Sequence, residues 1–256
     1  MLVTRHMDAP PSTEPPLWRT ATARATVALS ISIGLIVAYN LVGRVLAPER
    51  ARSIGTALDD AIPFVPWTVL LYSWVYTSML LPLFAIRSPA LFRRTVVAYL
   101  VVIAVSLATF VAWPVSGVAL RPDHAALDTT TFVEWGVRLT YAVDPPYNLF
   151  PSLHLSIAVT SALAVWRARP AFGLLAGAVA ACIAVSILTM KQHFIADGVA
   201  ALCLAGVVWW FVVRPFRDGT DGPAAYSWRG PLAWLAFHCA VYAGLYGMFR
   251  AGYTAW

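Results

Sequence analysis

The feature that most constrains this chain is a succession of apolar runs, each about as long as a membrane is thick. The first covers Ala25 to about Leu46. The others cover roughly residues 64–86, 95–118, 151–168, 171–190, 194–214 and 231–249. A bilayer core takes ~20 residues of helix, and a helix satisfies its own backbone polar groups there. A transmembrane β-barrel would show ~10-residue alternating segments; continuous runs such as Thr95 to Val105 do not alternate. The expected fold is therefore all-α: a polytopic membrane helix bundle with six core spans and a seventh, C-terminal span.

Composition supports this and narrows the domain organisation. The chain is 60% hydrophobic and 12% charged, whereas soluble domains carry about 25% charged residues. Seven spans use about 140 residues, which leaves no room for a separate soluble domain in a chain of 256. Residues 1–24 are polar, contain Pro10, Pro11, Pro15 and Pro16, and read as a disordered cytoplasmic tail. Residues 25–214 read as the bundle, and 215–256 as a loop with an extra membrane helix. The first run exceeds a signal-peptide core and reads as an uncleaved anchor, although Val45-Leu46-Ala47 mimics a cleavage site. Cys182, Cys203 and Cys239 lie inside apolar runs without metal-like spacing, as packing residues do.

The formal net charge is +6 and the pI about 9.5. The basic residues are scattered between apolar runs and form no stripe or tail, so nucleic acid is not an expected partner. They read instead as topological signals. With the N-terminus inside, 11 basic residues fall on the inner side and 7 on the outer, with net charges of +7 and −1. The positive-inside rule then favours a cytoplasmic N-terminus. The expected location is a plasma membrane, or a bacterial inner membrane.

Two polar clusters open spans four and six: Phe150-Pro151-Ser152-Leu153-His154-Leu155-Ser156 and Lys191-Gln192-His193-Phe194-Ile195-Ala196-Asp197-Gly198. Span four descends about 22 Å and span five returns about 30 Å, so His154 and His193 come back to one membrane face. Arg121 lies on that face too. It sits in a polar outer loop, 119–150, where Thr130 to Tyr141 has helical apolar spacing and reads as a short surface helix that covers or gates the site.

His193 and Asp197 stand at i,i+4 and so adjoin each other on one helix face. A carboxylate beside an imidazole fixes its tautomer and leaves the other nitrogen free as nucleophile or base. With Pro151 as the first helical residue, the free amides of Ser152, Leu153 and His154 make an anion site. Arg121 and Lys191 add cationic donors suited to phosphate oxygens. This is an arrangement for phosphoryl transfer. The same residues also permit a structural hydrogen bond with a snorkelling Lys191, or a metal held by His154, His193 and Asp197.

These residues resemble the signature of the type-2 phosphatidic acid phosphatase superfamily, whose members are integral membrane lipid phosphatases and phosphotransferases. Its second motif, PSGH, is met by Pro151-Ser152-Leu153-His154. Its third, SRxxxxxHxxxD, is met by Ser186, His193 and Asp197. The PSLH form is similar to the branch of inositol phosphorylceramide synthases and related bacterial enzymes, as is the stretch Asp59 to Tyr72. Arg121-Pro122 matches the end of the first motif, KxxxxxxRP, but Pro114 stands in place of its Lys, and Ile187 replaces the Arg of the third. The resemblance implies that His193 attacks phosphorus to form a phosphohistidine, that Asp197 orients it and that His154 protonates the leaving alcohol. Ser152, Arg121 and Lys191 would hold the phosphate oxygens, with no metal or other cofactor. It implies a lipid phosphate phosphatase facing outward, or alternatively a phosphotransferase moving a phospho-headgroup between lipids. The lipid and the oligomeric state stay open.

Overall fold

The computed structural model describes Trp18 and residues 20–46, 48–217 and 226–256. Most of the expected tail and much of the loop after residue 217 lie outside the described residues. The chain is an all-α bundle, without strands among the described residues. Helix α1 (Ala21–Val45) starts inside the expected tail, because Thr20 caps it by accepting from the Ala23 amide at 3.1 Å.

The second apolar run is not one helix. It folds as a 3-10 turn (Pro66–Thr68) followed by α3 (Val69–Tyr72), α4 (Val75–Ser78) and α5 (Leu81–Ala85), after a short helix α2 (Ala57–Ala61). Broken backbone in a membrane must find other hydrogen bonds; here turns within the segment supply most, such as Tyr76 N to the Ser73 carbonyl and Leu80 N to Thr77, and the last helix adds more. In α11 (Arg229–Arg250), Trp234 Nε1 donates to the Thr77 carbonyl at 2.9 Å and the Tyr242 hydroxyl donates to the Leu70 carbonyl. His238 Nδ1 lies 2.9 Å from the Thr77 hydroxyl, its ring stacked on Trp74. Gly230 permits this approach: a Cβ there would lie 2.0 Å from the Phe84 carbonyl oxygen. The last helix thus ties the turns of the broken segment together.

Helix α6 (Pro89–Ala112) begins well before its apolar run. Ser88 caps it and Pro89 suits the first helical position, so Arg93 and Arg94 are helical. It ends just before Pro114. Helices α8 (Leu153–Ala168), α9 (Pro170–Thr189) and α10 (Ile195–Val208, continued as a π-turn over Trp209–Val213) follow. Helix α8 is central, packed by α4, α5, α6, α9 and α10. Small residues such as Ala158 and Ala162 allow close approach, and its hydroxyls bond carbonyls one turn back. At 16 residues it is ~24 Å long, shorter than the ~30 Å hydrocarbon core. Its N-terminal end carries His154.

The two ends of the bundle differ. At one, arginines cap backbone carbonyls: Arg24 bonds Ile86 and Arg87, Arg94 bonds Val212, and Arg167 bonds Phe216. At the other, the loops interlock through Arg52 N to the Pro114 carbonyl, Gly117 N to Pro146 and Val65 N to Thr189. Over that end lies the surface helix α7 (Phe132–Val143), two residues later than its spacing suggested.

Candidate active site

The turn from α9 into α10 builds half of the site. Helix α9 closes with the Gln192 amide bonded to the Ile187 carbonyl and the Lys191 amide to Leu188, both at 3.0 Å. That is a Schellman ending, whose left-handed position glycine normally takes. Here it is Lys191, at φ 53°, a conformation that costs a non-glycine residue about 1–2 kcal/mol. The side chain explains the choice: Lys191 Nζ donates to the Asp59 carbonyl at 2.8 Å. The Asp59 carboxylate in turn accepts from the Ile195 amide at 2.7 Å and from Thr56. Burial alone would raise the Asp59 carboxyl, but these amides and hydroxyl, with Lys191, hold it below the usual carboxylate range. The outer loop thereby clamps the first turn of α10.

His193 lies in this turn, just before α10, rather than on a helix face as its spacing suggested. It still meets Asp197: Nδ1 to Oδ2 is 3.2 Å. The same Oδ2 accepts from the Phe194 amide at 2.9 Å, while Oδ1 has no partner among the described residues. The carboxylate is fully buried and the imidazole nearly so. With Nδ1–H facing Asp197, Nε2 keeps its lone pair.

The start of α8 builds the other half. Pro151 is not the first helical residue. Ser152 is the cap, its hydroxyl accepting from the Leu155 amide, and its own amide donates to the Asp197 carbonyl at 3.2 Å. The Ser152 amide is therefore spent on joining α8 to α10 and is not free for an anion. The His154 and His193 rings face each other, 6.0 Å between centroids and 74° apart in plane.

Behind His154 stands a carboxylate the sequence did not single out. Asp144 Oδ2 lies 3.9 Å from His154 Nδ1. It accepts from the Tyr72 hydroxyl at 2.7 Å, and Oδ1 accepts from the Tyr39 hydroxyl at 2.6 Å. The Tyr72 oxygen is also 3.2 Å from His154 Nδ1. Tyr72 has one proton and gives it to Asp144, so in that contact His154 Nδ1–H is the donor. His154 then presents Nε2 to the site, as His193 does. Burial alone would raise the Asp144 carboxyl, but His154, Arg121 and the two tyrosines outweigh it and hold it below the usual range.

Arg121 joins the halves. It donates to the Asp144 carbonyl at 2.9 Å, to Gln192 Oε1 at 2.7 Å and to the Tyr141 carbonyl, and lies over the Tyr141 ring. Its Nε and the Gln192 amide nitrogen are buried donors without a partner among the described residues. Buried polar groups are normally satisfied, and two such donors beside His193 suit an incoming anion. The three-ligand metal arrangement left open by the sequence is not formed: among the described residues no three His, Cys, Asp or Glu are grouped to hold an ion.

The residues missed were Tyr39, Tyr72, Asp144, Gln192 and Asp59 as a clamp. Gln192, beside His193, was the most accessible to sequence reasoning; the tyrosines look like ordinary aromatic residues in apolar runs. Neither the curated proteins nor the solved structures give a match to this chain. A family model described as the PAP2 superfamily matches residues 49–211, nearly two thirds of the chain. The match takes in both histidines, both carboxylates, Arg121 and Tyr72, and leaves out α1 and α11. The chain belongs to the PAP2 superfamily, whose members are phosphatases or phosphotransferases.

Proposed function

We propose that the protein is an integral membrane lipid phosphate phosphatase, hydrolysing a phosphomonoester or pyrophosphate at the outer membrane face. The observation that carries this is the pair of imidazoles, 6.0 Å apart between ring centroids, each with a carboxylate behind it, with Arg121 Nε and the Gln192 amide nitrogen left without a partner among the described residues. A phosphorus atom between the rings lies within ~3–3.5 Å attack distance of one nitrogen, with its ester oxygen in hydrogen-bond reach of the other.

In the first step, with His154 starting as the imidazolium, the His193 Nε2 lone pair forms the P–N bond, the P–O bond to the lipid breaks and His154 Nε2–H gives its proton to the departing oxygen, which leaves His154 neutral. In the second, water attacks phosphorus, His154 takes its proton, the P–N bond breaks and phosphate leaves. Asp197 holds His193 in the reactive tautomer. Arg121, Gln192 and the Ser152 hydroxyl stabilise the phosphoryl oxygens. Lys191 acts through the Asp59 clamp and as a nearby positive charge. No step calls on a metal or other cofactor.

The Pro151-Ser152-Leu153-His154 form favours a second reading, transfer of a phospho-headgroup to another lipid, as in the inositol phosphorylceramide synthase branch. Both readings share the phosphohistidine and differ in the acceptor. The test is to incubate purified protein with a panel of lipid phosphates, with and without ceramide or another lipid alcohol. Free phosphate without a new lipid product supports the phosphatase. A new phospholipid that depends on the added alcohol selects transfer, and no turnover of any lipid phosphate overturns both.

A further inference from the structure

Helix α1 lies outside the family match, yet it walls an apolar opening onto the site. It is pinned at its two ends. At the arginine end Arg24 bonds the Ile86 and Arg87 carbonyls. At the site end Tyr39 bonds Asp144, and Gly43 lets the helix approach Pro145, where a Cβ would come within 2.5 Å. Between these anchors α1 stands off from α4 and α8 and leaves a groove of about 230 Å³.

From Ser32 to Asn40 the groove follows α1 for ~12 Å, just over two turns. Its walls are Leu35, Ile36, Val75, Met79 and Ile157, and it ends on His154 and Asp144. The polar side chains that line it from α1 bond their own helix: the Ser32 hydroxyl donates to the Ala28 carbonyl, with Met79 Sδ also 3.7 Å away, and Asn40 donates to Ile36. The groove is thus apolar until the acid–base end of the site. His193 is not among its lining residues, so the groove reaches one imidazole and not the other.

We infer that this groove holds a single hydrocarbon chain of the substrate lipid and delivers its ester oxygen to His154, an assignment that rests on the phosphatase reading above. A ligand pocket usually measures ~300–1,000 Å³, and the smaller groove suits one chain rather than two. It also gives in-line geometry. With the chain on the His154 side, the P–O bond that breaks points away from His193. Lipid tails are as apolar as the groove walls, so entry gains little hydrophobic energy. The groove selects by shape, and blocking it matters more than trimming it.

Ile36→Trp fills the mouth from a residue that touches none of the reacting groups. Ile33→Trp puts the same bulk on α1 outside the groove; both positions are about equally exposed, at 61% and 62%. Expected for Ile36→Trp is at least a tenfold loss of kcat/KM on a long-chain alkyl phosphate, with nitrophenyl phosphate within twofold of wild type and Ile33→Trp unchanged on both. An unaffected Ile36→Trp, or equal losses in both variants, overturns the groove. A second measurement uses the wild-type protein in nanodiscs and an alkyl phosphate bearing a terminal diazirine. Labelling should fall on 32–40 and 75–79 and be competed by long-chain alkyl phosphate but not by inorganic phosphate. Uncompeted labelling spread over α1, α9 and α11 means annular lipid only and overturns the proposal. Turnover without groove labelling overturns the groove and spares the phosphatase reading. Competed groove labelling in a protein that turns over no lipid phosphate keeps the groove and sinks that reading.

Discussion

His193 and His154 have the same equipment, an imidazole with a carboxylate behind it, assembled in different ways. His193 bonds Asp197 directly at 3.2 Å, within one turn of chain. His154 reaches Asp144 at 3.9 Å with the Tyr72 hydroxyl bonded to both. Asp197 serves one ring and one backbone amide, whereas Asp144 accepts from two tyrosines brought in by separate spans. A direct carboxylate holds the ring in one tautomer and supports the positive charge it gains on becoming a phosphohistidine. A shared carboxylate, met through a hydroxyl, leaves the ring freer to give up and regain a proton. Under the proposed function, this difference suits His193 to the nucleophile's role and His154 to that of acid and base.

The harshest test of this division is removal of each ring. His193→Ala should abolish turnover and any trapped phosphoenzyme on every substrate, because bond formation to phosphorus is what it lacks. His154→Ala should lose about 10²–10⁴-fold on alkyl phosphates, the usual worth of a general acid. That deficit should shrink on nitrophenyl phosphate, whose leaving group needs no proton. Equal rescue of both variants, or a phosphoenzyme in His193→Ala, would reverse or erase the distinction.

The carboxylates come next. Asp197→Asn keeps the shape but disturbs the tautomer, a change that can cost ~10⁴-fold in a comparable triad. Asp144→Asn leaves Tyr72 in place to orient His154 and should cost about 10–100-fold, the scale seen when a supporting partner of an active group is lost. A larger loss for Asp144→Asn than for Asp197→Asn, measured as kcat on one alkyl phosphate, would contradict the division.

Of these two arrangements only the first is legible in sequence. The i,i+4 spacing of His193 and Asp197 survives although His193 is in a turn rather than on the helix. Asp144 sits ten positions before His154, across a loop and a cap. Nothing local separates it from Asp123 or Asp128, which end up exposed. Its partners come from α1 and α3, so the cluster exists only once those helices pack. The second span was legible as membrane-embedded from its apolarity. Its breaks were not, because the indole and hydroxyl that tie its turns together, Trp234 and Tyr242, come from the last helix.

Acid should expose the same contrast more gently. The folded-state value of Asp144 is depressed, so its contribution to stability is present above the unfolded value, about 3.9. It is lost as pH falls through the lower folded value. By thermal unfolding in detergent, Asp144→Asn should be less stable than wild type by a constant margin from about pH 7 to 5. That margin should narrow below about pH 4 as wild type takes up the proton. A margin independent of pH throughout would mean that the carboxylate's charge does not matter and the tyrosines merely need an oxygen.

The smallest effects should separate the two tyrosines. Tyr72→Phe removes the hydroxyl between Asp144 and His154, and Tyr39→Phe removes one that touches only Asp144. A hydrogen bond to a charged group contributes ~1.5–3 kcal/mol, so each variant should lose stability of that order. Their rates should differ. Tyr72→Phe frees the His154 tautomer, so kcat on alkyl phosphates should fall several-fold and recover on nitrophenyl phosphate, a faint copy of His154→Ala. Tyr39→Phe should leave the ratio of alkyl to aryl rates unchanged, because the hydroxyl it removes bonds Asp144 and makes no hydrogen bond to His154 among the described residues. If both tyrosines shift that ratio alike, the proton on His154 is governed by the charge of Asp144 alone, and the hydroxyl between them is a spacer. If only Tyr72 shifts it, the hydroxyl is what sets the acid apart from the nucleophile.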